Sequence, residues 1–173
     1  MNLIITCPRH FEEEASNEVR EILTDLGDKA PKITISNMPG ILTGFTSLEP
    51  IKSIKKIREK ILDEPWFIRY CLRIIPIQAV CKTSVDEIEG EILKKAEIIK
   101  PENKYRITIE KRNSNISSEE LISTIAKNFE NKVSLDEPDW IILIEIIGEI
   151  TGISFIQSND ILSVEKTKRS LSD

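Results

Sequence analysis

Apolar and polar positions alternate from Lys104 to Glu110. Tyr105, Ile107 and Ile109 fall on one face, and Lys104, Arg106, Thr108 and Glu110 on the other. Period two predicts a strand with one face on a core and one in solvent. A polar basic loop follows, Lys111-Arg112-Asn113-Ser114-Asn115. The spacing then changes to helical from Ser118 to about Phe129, with Leu121, Ile122, Ile125, Ala126 and Phe129 as the buried stripe. Ser117 and Glu120 stand at capping-box spacing, and Ile116 and Leu121 at that of a hydrophobic staple. After Pro138-Asp139, Trp140 to Ile147 is apolar except for Glu145, which predicts a strand buried on both faces with Trp140 in the core. Gly148 to Gly152 read as a turn, and Ile153, Phe155 and Ile156 as the returning strand.

The preceding half reads in the same way. Leu3 to Thr6 is a short strand. Phe11, Ala15, Val19, Ile22, Leu23 and Leu26 carry a helix that starts near His10 or Phe11, with Glu12, Glu13 and Glu14 at the positive end of its dipole and Gly27 past its end. Lys32–Ser36 and Ile41–Thr46 are strands joined at Pro39-Gly40. A second helix begins at Pro50, its stripe Ile51, Ile54, Ile57, Ile61 and Leu62, its exposed side Lys52, Lys55, Lys56, Arg58 and Lys60. Pro65 closes it, and Phe67 to Ile77 is the fourth strand. Strand-helix-strand-strand-helix-strand is the ferredoxin-like βαββαβ order. The fold class is therefore α+β: a ferredoxin-like domain over 1–78, a second α/β domain over 79–164, and a short flexible tail over 165–173. Residues 77–82 form a short, stiff junction. Ser84, with Glu87, caps a helix whose inward positions are Val85, Ile88, Ile92, Ala96 and Ile99, and Pro101 breaks it.

With 173 residues, 40% of them hydrophobic, the composition is that of an ordinary soluble globular chain. No apolar run is long enough for a membrane span, and the first residues carry no signal-peptide pattern, so a cytoplasmic protein is expected. Cys7, Cys71 and Cys81 lack CxxC spacing and read as small buried side chains. His10, the single histidine, has no nucleophile or acid partner near it in the sequence and reads as a helix-start residue among carboxylates. One His and three scattered Cys do not make a metal set. The six glycines stand singly, without a phosphate-binding loop. No catalytic group, metal or cofactor is expected.

The net charge of −5 counts against a simple nucleic-acid binder. The basic residues cluster apart from the acidic ones, however. Lys104 and Arg106 on the open strand face, with Lys111, Arg112 and Asn113 at its exit, make the strongest candidate path for phosphate and 2′-OH contacts. Arg69 and Arg73, placed on one face of the fourth strand, extend it, and Arg9 stands at the start of the N-terminal half. Lys52, Lys55, Lys56 and Lys60, and Lys166, Lys168 and Arg169 in the tail, are weaker candidates. Trp66, Phe67 and Tyr70 are the aromatic cluster available for stacking on bases.

The stretch Y-R-I-T-I-E-K-R-N-S-N, the capped helix, and P-D-W-I-I-L-I-E-I-I-G-E-I-T-G-I-S resemble the core of a THUMP domain, over roughly Lys82 to Val164. The opening T-C-P-R-H-F-E-E-E-A is similar to the start of the paired ferredoxin-like and THUMP module of archaeal stand-alone THUMP proteins. The resemblance implies RNA binding, most often to tRNA. It implies a grip on the acceptor stem and 3′-CCA end, and presentation of a distant base to a partner enzyme. In the eukaryotic relatives that partner is the RNA cytidine acetyltransferase that makes N4-acetylcytidine. Family members fused to methyltransferase or PP-loop domains carry nucleotide-binding loops that this sequence lacks, so a stand-alone, non-catalytic binding module is expected. Two other readings remain open: a protein-interaction or small-ligand module, since fold alone does not fix function, and the RNA-binding subunit of a split tRNA-modifying enzyme.

Overall fold

A computed structural model describes Met1–Asp173 and divides into two compact units, Met1–Ile77 with Asn159–Asp173, and Gln78–Ser158. The first unit contains β1 (Leu3–Thr6), α1 (Glu12–Asp25), β2 (Lys32–Ile35), β3 (Ile41–Phe45), α2 (Pro50–Asp63) and β4 (Arg73–Pro76). The second contains β5 (Ala79–Lys82), α3 (Val85–Leu93), β6 (Tyr105–Arg112), α4 (Ser118–Ala126), β7 (Trp140–Ile147) and β8 (Ile150–Ile156). The chain then returns to the first unit with β9 (Leu162–Ser163) and α5 (Val164–Arg169).

The first sheet has the order β2-β3-β1-β4-β9, with every neighbouring pair antiparallel. Its first four strands with α1 and α2 form the ferredoxin-like arrangement. Leu3, Ile5, Leu42 and Ile74 pack against Ala15, Val19 and Leu23 of α1 and Ile54, Ile57 and Ile61 of α2. Leu62, expected in the α2 stripe, is 42% exposed. At Gly27, φ is 111°, and the Asp28 N–H returns to the Leu23 carbonyl at 3.0 Å, so the helix ends on the glycine as the sequence predicts. Gly40, at φ 75°, admits no other residue, because a Cβ there would lie 2.6 Å from the Cys7 carbonyl oxygen.

The fourth strand is shorter than its apolar run suggests. Pro65–Phe67 is a 3-10 turn, and pairing starts only at Arg73. Glu18 of α1 is the reason: its carboxylate accepts backbone N–H groups from Arg69, Tyr70 and Cys71, the last at 2.8 Å. Those donors are satisfied without a ladder, so the segment bends while Ile68 and Cys71 plug the core. The last residues, expected to fray, are ordered by tertiary contacts. Leu162 and Val164 enter the first core, Arg58 donates to the carbonyls of Asn159 (2.6 Å) and Ile161 (3.1 Å), and the Lys168 Nζ donates to the Ile68 carbonyl at 2.7 Å.

The second sheet has the order β5-β8-β7-β6. β6 and β7 are parallel along their whole length, joined through α4, while β5–β8 and β7–β8 are antiparallel. β5, expected as a junction, is a strand because Ala79 to Lys82 pair with Ile153 to Ile150. The turn is only Gly148-Glu149: Gly152 lies within β8, opposite Glu145 and Val80. α3 and α4 cover one face, where Ile88, Ile92, Leu121 and Ile125 meet Ile142, Ile144, Ile146, Ile153 and Phe155. Ile141 to Ile147 are all buried, as expected of a strand covered on both faces. α4 ends at Ala126, Ile122 is 41% exposed, and Phe129 lies beyond the helix against Tyr105, ring centroids 5.1 Å apart. Ser117 and Ser84 both cap as predicted, accepting from the Glu120 and Glu87 N–H groups at 3.2 Å.

Asp28, 2% exposed, ties the end of α1 to the end of β3 by accepting from Thr46 Oγ1 (2.6 Å), Ser47 N (3.1 Å) and Ala30 N (3.1 Å). Burial pushes its carboxyl up, but these hydrogen bonds outweigh burial and hold it below its ordinary 3.8. A carboxyl depressed in the fold stabilises fully above its unfolded value, and that contribution is lost as pH falls through the folded one. Urea unfolding from about pH 6 to about pH 2.5 is expected to lose stability below 3.8 in the wild type. Asp28→Asn is expected to cost about 1–3 kcal/mol at neutral pH and to flatten that acid limb. An unchanged acid limb in the variant would discard this role for Asp28.

Candidate nucleic-acid interface

β6 is the edge strand of its sheet, and its face away from the helices carries Arg106, Thr108, Glu110 and Arg112. The parallel register sets these residues beside Ile141, Leu143, Glu145 and Ile147 of β7. Glu145, the single charge in that strand, is fully buried, and Arg112 Nη1 reaches its Oε2 at 2.7 Å. The expected phosphate contact Arg112 is thus committed first to an internal ion pair, its side chain only 20% exposed. Arg106 is also engaged: Nε donates to Thr108 Oγ1 at 3.1 Å and Nη1 to the Leu135 carbonyl at 2.8 Å, which fastens the segment before β7. Lys111 Nζ donates to the Ile116 carbonyl at 2.9 Å and closes the loop that enters α4. Lys104 keeps a half-exposed side chain without an ion pair; its backbone N–H is held by Asp139 Oδ2 at 2.7 Å.

Asn113 is exposed and adopts φ 53°, a left-handed conformation uncommon outside glycine. With Lys82, Thr83, Ser114, Gly148, Glu149 and Ile150 it lines a cleft of about 670 Å³. Lys82, Thr83 and Glu149 were not legible as site residues. They join Asn113 only because the β5 exit, the β6 exit and the β7–β8 turn meet at one end of the sheet.

In the first unit, Arg9 and His10 line a second cleft of about 310 Å³ with Glu12, Ser36 and Asn37. His10 is the other non-glycine residue at positive φ, 75°. The Glu12 carboxylate accepts the Gly40 N–H at 2.8 Å, and that bond chiefly holds its pKa below the usual value. Arg69 and Arg73 do not share a strand face: the Glu18 contact keeps Arg69 in the bend before β4, exposed, whereas Arg73 is half-buried in the strand. The aromatic cluster is divided. Trp66 is 66% exposed, Phe67 lies under the Lys60 ammonium at 4.7 Å, and Tyr70 stacks on Phe11 at 5.5 Å. Lys52, Lys55 and Lys56 are exposed along α2. In α5, Arg169 pairs with Glu165 at 2.8 Å and Lys166 is exposed.

The thiols do not suit nucleophilic chemistry. Burial, with nearby carboxylates, pushes Cys7 and Cys81 up to about 11, and burial raises Cys71 further from reactivity.

The second unit is a parallel β-α-β crossover extended by an antiparallel hairpin and an edge strand, and the same chain carries a ferredoxin-like unit. Residues 82–155 match the family model of the THUMP domain, and the chain carries that domain within its second unit. The whole chain is similar in fold to PH1313 from Pyrococcus horikoshii Ot3, at 20% identity and a TM-score of 0.64, covering 90% of this chain and 54% of that one. It is similar to TrmN from Thermus thermophilus at 10% identity and TM-score 0.54, covering 90% and 45%. A 4-thiouridine synthetase solved in complex with RNA and bound ATP matches at 15% identity and TM-score 0.54, covering 94% and 42%. The chain spans about half the length of these solved chains. Comparison with curated proteins gives no match.

Removing the guanidinium of Arg112 leaves the Glu145 charge buried without it. Arg112→Ala is expected to lower unfolding stability by about 2–3 kcal/mol, with the urea m-value unchanged. A loss under about 0.5 kcal/mol, no more than an ordinary surface substitution, would show that the pair does not hold the sheet.

Proposed function

We propose that this protein is a non-catalytic tRNA-binding protein of the cytoplasm. In this reading it grips the acceptor stem and 3′-CCA end and presents the tRNA to a modification enzyme, an RNA cytidine acetyltransferase that forms N4-acetylcytidine. The observation that carries the reading is the THUMP-domain match over residues 82–155, set beside a ferredoxin-like unit in the same chain. The likeness in fold to a synthetase solved with RNA supports it.

The contacts divide by what each cation already does. Lys104, Arg69, Arg73 and Arg9 make no ion pair within the protein and are the proposed phosphate ligands, with Asn113 at the cleft offering an amide to a 2′-OH. Arg106 fastens the segment before β7, Lys111 and Arg112 shape the β6 exit, and all three meet RNA only through donors left over from their internal bonds. Two carboxylates, those of Asp28 and Glu145, are buried and face away from any RNA, and Glu12 and Glu18 are half-exposed and engaged by backbone N–H groups.

The test is a titration with bulk tRNA, intact and trimmed of its 3′-CCA, at about 50 mM and about 200 mM salt. Binding is expected to fall steeply with salt and to be lost on trimming. Lys104→Gln combined with Arg69→Gln, which remove the cations without adding a carboxylate beside Asp139 or Glu18, is expected to weaken it by about tenfold or more with the thermal melt unchanged. Equal binding to trimmed tRNA would discard the 3′-end grip, and no binding at low salt would discard the RNA reading.

A further inference from the structure

The cleft at the exits of β5 and β6 is unlike a simple cationic patch. Its walls come from three separate stretches, Lys82-Thr83, Asn113-Ser114 and Gly148-Glu149-Ile150. They sit at the carboxyl ends of the parallel strands β6 and β7, where ligands collect in sheets of this kind. The walls are fixed to one another. The Thr83 N–H donates to the Glu149 carbonyl at 2.9 Å, the Thr83 and Thr151 hydroxyls meet at 2.8 Å, and the Gly148 N–H donates to the Arg112 carbonyl at 2.9 Å. Asn113 is in a left-handed conformation on the rim, one that asparagine adopts more readily than most residues.

The chemistry of the lining selects among ligands. Lys82 is exposed and makes no ion pair, which suits a phosphate. Ile150 leaves 42% of its surface open, an apolar patch for the face of a base or the carbons of a ribose. Asn113 and Ser114 offer both donors and acceptors. The Glu149 carboxylate only accepts, and it repels phosphate, so at this cleft it favours a ligand that also presents N–H or O–H groups. An anion, a flat apolar face and hydrogen-bond donors together describe one ribonucleotide. The cleft, about 670 Å³, has room for a single ligand of that kind.

We infer that this cleft seats one unpaired nucleotide of a bound RNA. Lys82 meets the phosphate, Ile150 the base or sugar face, and Glu149 accepts from the base N–H groups or the 2′-OH. The inference rests on the RNA reading above. It adds a recognition element that phosphate contacts alone cannot supply, since base edges become readable in RNA where strands are unpaired.

The experiment is fluorescence anisotropy with two labelled RNA hairpins, one blunt and one with a short single-stranded 3′ overhang. Each is titrated with wild type, Lys82→Ala and Glu149→Ala. Both side chains are exposed, so the variants are expected to fold, and circular dichroism and thermal melts check this. The wild type is expected to prefer the overhang. Each variant is expected to lose about tenfold on that hairpin and little on the blunt one. Lys82→Ala is also expected to reduce the salt slope by about 0.7, one phosphate of a single strand. Glu149 supplies the sharper readout. Deleting a negative charge strengthens any purely electrostatic contact with RNA, so weaker binding marks a lost hydrogen bond to the nucleotide. If Glu149→Ala binds the overhang as well as wild type or better, the cleft is not a nucleotide seat. Wild type that binds both hairpins equally also overturns the inference while RNA binding stands. Wild type that binds neither at low salt overturns both.

Discussion

The constraint on which the second unit depends is a carboxylate with no access to water. β7 is buried on both faces, and Glu145 sits in the middle of it. An unpaired charge in that position costs far more than one hydrogen bond returns, so the strand needs a fixed cation beside it. Arg112 is that cation, and it reaches Glu145 only because β6 runs parallel to β7 in unbroken register up to its last residue. The same register brings the β6 exit to the β7–β8 turn, where the Gly148 N–H closes on the Arg112 carbonyl. One ion pair thus links the central strand, the edge strand and the loop that lines the larger cleft.

The first unit solves a related problem with backbone donors. Glu18 gathers the N–H groups of the bend before β4, Asp28 those after α1 and β3, and Glu12 that of Gly40. Each carboxylate replaces a missing ladder or turn bond, and each fixes the entry to a strand or helix. Four of the 29 acidic residues, these three and Glu145, are therefore architectural. Net charge summed over a sequence does not say where the charges lie, and the buried Glu145–Arg112 pair adds nothing to it.

The same distinction reorders the candidate site. Arg106, Lys111 and Arg112 have the residue type and clustering of phosphate ligands, yet each donates first to an oxygen of its own chain. Arg9 and Arg69 are left exposed without such bonds and Lys104 half-exposed, and Lys82 joins them from the short strand β5. Basic residues on this edge strand serve two ends at once: Arg106 and Lys111 satisfy the loop carbonyls of Leu135 and Ile116, and they keep the edge polar.

Local periodicity was enough for much of the fold. The alternation of β6, the apolar run of β7, the stripes of α1 and α2, the serine caps and the Gly27 stop all act through neighbours a few residues away. Sequence alone therefore determined the order of β1 to β4 with α1 and α2, that of α3, β6, α4, β7 and β8, and the likeness to a THUMP core. It did not determine where a strand yields to a bend, because the Glu18 carboxylate that ends pairing before Arg73 lies on a different element. Nor did it reveal β5, four residues long with no pattern of its own, or the return of β9 and α5 to the first core. Tertiary structure also decided which cations are exposed and which are consumed. Hydrophobic pattern is written at spacings of two to four residues, whereas a charge finds its partner across the sheet, 33 positions away for Arg112 and Glu145, and only the folded chain brings the two together.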